Sequence, residues 1–64
     1  MGKSRRKKSN DVIRAHAGSL RKVAFSFDEE IIAAVEEALG WTLSEEEQRI
    51  AVKEYNRARS EVLA

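Results

Sequence analysis

Five basic residues lie within the first eight positions of the chain, and their chemistry suits phosphate groups. Lys3 precedes the run Arg5-Arg6-Lys7-Lys8, with no acidic residue among them. Such side chains neutralise phosphates and release counterions, so their binding weakens steeply as salt rises. The run therefore predicts contact with nucleic acid. A solubilising or targeting tail is the alternative. An anionic membrane surface is a lesser one, because no aromatic residue or lipidation motif accompanies the run.

The remaining residues offer no set that could carry catalysis. His16 is the single histidine, and the chain has no cysteine. A serine nucleophile needs a positioned base, and the glutamates have no histidine or aspartate beside them at metal-ligand spacing. The sequence predicts a protein that is not an enzyme and that holds neither a cofactor nor a metal.

Charge divides the chain into two parts of opposite sign. Residues 1–22 hold eight basic residues against Asp11 alone, a net charge of +7. Residues 23–64 hold four basic residues against ten acidic ones, a net charge of −6, which leaves +1 for the whole chain. This asymmetry indicates a basic arm that binds a polyanion and a body with another role.

The length of 64 residues limits the chain to one domain. A domain of this size buries only about 60% of its unfolded surface and usually needs a disulfide, a metal or a partner chain. Composition excludes the first two, so we expect a homodimer. No apolar run approaches the roughly 20 residues of a membrane span, and no apolar core follows the basic start as in a secretory signal. We expect a soluble protein that is cytoplasmic or nucleoid-associated.

Periodicity in the first half of the chain changes partway along. Residues 1–9 are too polar to order themselves and are predicted to be a disordered basic arm. A helix is expected over 10–17, with Asn10 as its N-cap. Over 21–27 the apolar residues alternate with small or polar ones, which is typical of a short strand. The competing interpretation is a helix that continues to Phe27.

The second half of the chain predicts two helices in a hairpin. The first spans 28–39, where Asp28 can cap its start and Gly40 supplies a left-handed stop. The second spans 44–63 and opens with a capping box over 44–47. Together with residues 10–27 these helices make one small domain over 10–64.

The order of arm, strand, helix, glycine-centred turn and second helix rests on three segments. They are Lys22–Phe27, Asp28–Ile32 and Gly40–Ser44. In this order the chain resembles the ribbon-helix-helix DNA-binding proteins over about residues 21–55. The expected fold is mainly α, with a short N-terminal β-strand before a two-helix hairpin in a ribbon-helix-helix-like dimer. A three-helix bundle is the alternative.

The resemblance implies that two chains pair their strands into a ribbon that enters the DNA major groove. Val23, Phe25 and Phe27 would then face the core. Lys22, Ala24 and Ser26 would face DNA.

Two functional hypotheses follow from these observations. The first is a DNA-binding regulatory or accessory protein, with DNA a better partner than RNA. Its nucleic-acid contacts would be Lys3, Arg5, Arg6, Lys7, Lys8, Arg14, Arg21, Lys22 and Ser26. The second is a helical protein-interaction module, an adaptor or inhibitor, that binds a second protein. The residues expected at a partner or dimer interface are Phe25, Phe27, Ile31, Val35, Trp41, Ile50 and Tyr55.

Overall fold

The computed structural model describes the backbone of residues 2–63 and the side chains of residues 10–63. Three α-helices make up the described chain: α1 (Gly2–Ser19), α2 (Asp28–Leu39) and α3 (Glu45–Leu63). Residues 20–27 connect α1 to α2, and residues 40–44 connect α2 to α3.

The strand predicted over 21–27 is wrong, since residues 2–63 contain no strand. The alternation that suggested it does not match burial. Val23 is 48% exposed and Phe27 is 66% exposed. Phe25 alone of the three packs against the core. The ribbon implied by the resemblance therefore does not form. The fold with a strand ahead of a two-helix hairpin gives way to its alternative, the three-helix bundle.

The first helix is longer than the sequence indicates. It passes through Asn10, which was expected to cap it, and through Gly18, which does not stop it. Its end is closed by side chains, because Ser19 Oγ donates to the carbonyl of His16 at 2.7 Å. Arg21 Nη1 donates to the carbonyl of Gly18 at 3.0 Å. Disorder of the free arm over 1–9 is a property in solution and stays a prediction, and Met1 lies outside the described residues.

Glu30, rather than Asp28, caps the start of α2. The residue before the helix is Phe27, whose side chain cannot accept a hydrogen bond. Glu30 Oε1 reaches back to the N–H of Ser26 at 2.9 Å and to the N–H of Phe27 at 3.3 Å. Asp28 is the first helical residue. Its negative charge interacts favourably with the helix dipole there, but its side chain makes no capping hydrogen bond.

The turn between α2 and α3 follows local signals closely. Gly40 adopts the left-handed conformation, with φ 88°, and its N–H donates to the carbonyl of Glu36 at 2.8 Å. The Glu36 carboxylate accepts the N–H of Leu43 at 2.8 Å. Ser44 and Glu47 form the reciprocal capping box, with distances of 2.9 and 3.3 Å. These bonds satisfy backbone groups that a helix end leaves without partners.

One apolar core joins the three helices. Its buried members come from all three helices and from the second turn. They are Ile13, Ala17, Ile31, Val35, Leu43, Ala51 and Tyr55. Partly buried apolar side chains surround them: Leu20, Phe25, Ile32, Leu39 and Ile50.

Helices α1 and α3 run side by side in the same direction. Near the start of α3, Asn10 shares a cleft with Ser44 and Glu47. Further along, Gly18 lies beside Glu54. The body of the molecule therefore begins at about residue 10, and residues 2–9 extend α1 beyond it.

Candidate nucleic-acid interface

The basic extension, residues 2–9, is the N-terminal part of α1 and carries the five predicted phosphate contacts of the arm. Because Asn10 is level with the start of α3, these residues lengthen α1 by about 12 Å past that point. The long axis of the molecule agrees with this geometry. It measures 40 Å, whereas the helix of α3 accounts for only about 28 Å.

The remaining predicted contacts lie in the body. Arg14, Arg21, Lys22 and Ser26 are all exposed. Arg14 is on α1 itself, in line with the basic extension, and its Nη1 lies 3.4 Å from Asp11 Oδ1. Arg21 and Lys22 follow the end of α1. Since residues 21–27 form no strand, neither Lys22 nor Ser26 is carried on a ribbon, and Ser26 lies just ahead of α2.

Two arginines of α3 that the sequence reasoning missed lie next to this surface. Arg59 Nη1 donates to the carbonyl of Arg21 at 2.7 Å and so fixes the turn after α1. Arg57 pairs with Glu54 at 2.5 Å and with Glu61 at 2.8 Å. Glu54 and Glu61 lie three and four residues from Arg57, so the sequence spacing indicates ion pairs on one helix. The contact of Arg59 with Arg21 spans 38 residues and has no local signal in the sequence.

The carboxylate of Glu54 is the acidic group most affected by this cluster. Its hydrogen bond with Arg57 is the main reason that its pKa lies below the ordinary value, and the positive charges of Arg57 and Arg14 act in the same direction. Arg57 is thus already paired with two carboxylates, whereas Arg14 has only the longer contact with Asp11. Arg14, Arg21 and Lys22 remain the better cations for an external anion.

The residues predicted for a partner interface divide into two groups. Ile31, Val35 and Tyr55 are buried within the core of the single chain. Phe25 and Ile50 pack against that core and are partly buried. The two that present surface are Phe27 and Trp41, which are 66% and 42% exposed.

An open groove lies between α2 and α3, on a different part of the body. Ile32 and Val52, both partly buried, form its apolar lining. Its polar lining is Asp28, Glu45, Gln48, Arg49, Lys53 and Asn56. The groove is an exposed surface with an apolar base and charges of both signs along its edges.

Within the described residues, no group of three or more His, Asp or Glu side chains is placed to hold a metal ion. His16 is partly buried on α1. No described helix combines the length and the apolar character that crossing a membrane requires.

Comparison with known proteins adds no relative: no family model matches the chain, and neither a curated protein nor a solved structure matches it.

Proposed function

We propose that this protein binds nucleic acid, with DNA favoured over RNA, through the basic extension of α1. One observation carries the proposal. Five cations without a carboxylate among them lie on a helical segment that leads away from the body, whose own charge is mainly negative. Phosphates attract such a segment, and the acidic body is repelled by them. The chain acts as a regulatory or accessory protein in the cytoplasm or on the nucleoid, and not as an enzyme.

The exposed cations of the body support this surface. Arg14 continues the basic side of α1, and Arg21 and Lys22 follow at its end. Arg59 holds the turn that carries Arg21 by bonding to its carbonyl. The body thus supplies further phosphate contacts once the basic extension is bound.

The test is a titration of the full chain with a labelled DNA duplex, followed by fluorescence anisotropy at two salt concentrations. The five phosphate contacts of the basic extension alone give a slope of log K against log salt of about −4.5, and contacts from the body make the slope steeper. A rise from about 50 to about 200 mM NaCl should therefore weaken binding by roughly 500-fold or more.

A matched pair of double variants separates the basic extension from net charge. Arg5→Ala with Arg6→Ala removes two cations of the extension and should lower the steepness of the salt slope by about 2. Arg49→Ala with Lys53→Ala removes two exposed cations of α3 and should leave the slope unchanged. Equal losses in the two variants would contradict the proposal, because net charge alone would then explain binding.

The α2–α3 groove favours a second candidate function, a protein-interaction module. Its apolar lining of Ile32 and Val52 suits an amphipathic helix of a partner protein. If the chain binds no nucleic acid at low salt, this function becomes the better explanation of the body.

We also propose that the chain forms a homodimer. Of the residues first assigned to a dimer interface, Phe27 and Trp41 remain available at the surface. Sedimentation equilibrium at several protein concentrations tests the oligomeric state, because the measured mass can be compared with the monomer mass of 7.2 kDa. A single species of that mass at all concentrations would remove the dimer from the proposal.

A further inference from the structure

The five cations of the basic extension are not confined to one side of α1. With roughly 100° of rotation per residue, the positions of Lys3, Arg5, Arg6, Lys7 and Lys8 spread around the whole helix axis, and the widest gap between neighbours is about 100°. No apolar residue occurs between Lys3 and Ser9. The segment is therefore basic on all sides.

This distribution discriminates between kinds of anionic partner. A helix that lies within a membrane surface has one apolar face and one basic face. A groove on a protein is bound through apolar residues spaced by three and four. The basic extension has neither pattern. A helix with cations on every side matches a partner whose phosphates flank it on both sides.

From this we infer that the basic extension enters the major groove of B-form duplex DNA as a continuation of α1. The inference rests on the proposed function and specifies its ligand. The major groove is about 12 Å wide and admits an α-helix between its two phosphate walls. The extension is about 12 Å long, which suits one crossing of that groove. In A-form RNA the major groove is too narrow and deep to admit it.

The rest of α1 supplies the anchor that this mode of binding requires. Ile13 and Ala17 are fully buried in the core, so the body fixes the direction of the helix axis. A continuous helix then positions the basic extension relative to Arg14. A flexible arm with the same charges would not be positioned in this way.

The experiment breaks the continuity of the helix without changing its charge. Ser9→Pro disfavours helical geometry at residue 8 and leaves residues 10–19 helical, since proline is accepted at the first position of a helix. Ser9→Ala is the matched control, because alanine favours the helix. Binding of both variants is measured for duplex DNA, single-stranded DNA and duplex RNA of one sequence at one salt concentration. Circular dichroism verifies that each variant is folded.

The expected result has two parts. The wild-type chain and Ser9→Ala bind duplex DNA at least about tenfold more tightly than duplex RNA. Ser9→Pro weakens binding to duplex DNA by at least about tenfold and changes binding to single-stranded DNA by less than about threefold.

Other results overturn the inference in ways that differ from failure of the proposed function. Equal affinity for the two duplexes would exclude the major groove, and this comparison needs no variant. A continuous helix would not be needed if Ser9→Pro bound duplex DNA as tightly as Ser9→Ala does. The same conclusion would follow if Ser9→Pro lost equal affinity for all three nucleic acids. Absence of all binding at low salt would instead refute the proposed function.

Discussion

The hydroxyl of Tyr55 and the backbone of Phe25 are joined across 30 residues of sequence, and their rings also pack together. The Tyr55 hydroxyl accepts the N–H of Phe25 at 3.2 Å and donates to the carbonyl of Val23. The two rings meet edge to face, with centroids 5.6 Å apart. A single side chain of α3 thus satisfies a donor and an acceptor that a strand would have paired with another strand.

Tyr55→Phe should destabilise the fold although it preserves the ring. The change leaves the Val23 carbonyl and the Phe25 N–H without their partner in a part-buried position, which costs about 1–3 kcal/mol of unfolding free energy. Urea unfolding followed by circular dichroism measures the loss. Phe27→Leu, on the exposed side of the same loop, is the control and should stay within about 0.5 kcal/mol of wild type. An unchanged Tyr55→Phe would show that water replaces the hydroxyl at no cost.

Replacing Gly40 and Gly18 by alanine should change the unfolding free energy in opposite directions. Gly40 has φ 88°, a conformation that strains a side chain, so Gly40→Ala should cost about 1 kcal/mol. Gly18 lies in α1, where an added Cβ would meet only Glu54 Oε2 at 3.9 Å. Gly18→Ala should therefore stabilise by about 0.5–1 kcal/mol. The midpoint of thermal unfolding of each variant gives the sign of its change. Stabilisation by Gly40→Ala would contradict the assignment of the Gly40 stop, and destabilisation by Gly18→Ala would contradict the open space found beside Gly18.

The start of α2 allows the roles of two neighbouring carboxylates, Glu30 and Asp28, to be distinguished. Glu30→Ala removes the acceptor for the N–H groups of Ser26 and Phe27 and should cost about 1 kcal/mol. Asp28→Ala removes only a favourable charge at the helix start, worth about 0.3–1 kcal/mol at low salt. High salt should therefore shrink the effect of Asp28→Ala and leave most of the effect of Glu30→Ala. The reverse order, measured by urea unfolding, would restore Asp28 as the cap.

The sequence predicted those parts of the fold whose causes are local. The span of α2, its stop at Gly40 and the capping box of Ser44 with Glu47 depend on residues within four positions of one another. The structure contains each of them. The prediction of a strand over 21–27 was wrong because the backbone of this loop bonds to the side chain of Tyr55, which comes from a helix distant in sequence. Nothing near Val23 or Phe25 in the sequence signals that hydroxyl, so the alternation alone favoured a strand.

The candidate interface was predictable in composition and not in geometry. The run from Lys3 to Lys8 is visible as charge in the sequence. Its position beyond the body depends on the parallel packing of α1 on α3, which places Asn10 level with Ser44. The support of Arg21 by Arg59 depends on the same packing. Tertiary contacts of this kind leave no periodic pattern in either segment.

Acid should weaken the fold partly through the pair of Glu54 and Arg57. The hydrogen bond from Arg57 keeps the pKa of Glu54 in the folded chain below its ordinary value of 4.5. The pair therefore contributes its full stabilisation above about pH 4.5 and loses it as the pH falls through the folded pKa. Glu54→Gln should lower the unfolding free energy at neutral pH, and its difference from wild type should shrink as the pH falls below that value.

Glu37→Gln provides the matched control for this pH dependence. Glu37 is exposed in the last turn of α2, where the helix dipole disfavours a negative charge, so its loss should be neutral or slightly stabilising at neutral pH. Urea unfolding of the wild type and both variants between about pH 3 and about pH 7 compares the profiles. Because Arg57 is 58% exposed on its side chain, about 1 M NaCl should reduce the effect of Glu54→Gln. A constant difference between wild type and Glu54→Gln across the whole pH range would show that the ion pair does not contribute to the acid sensitivity of the fold.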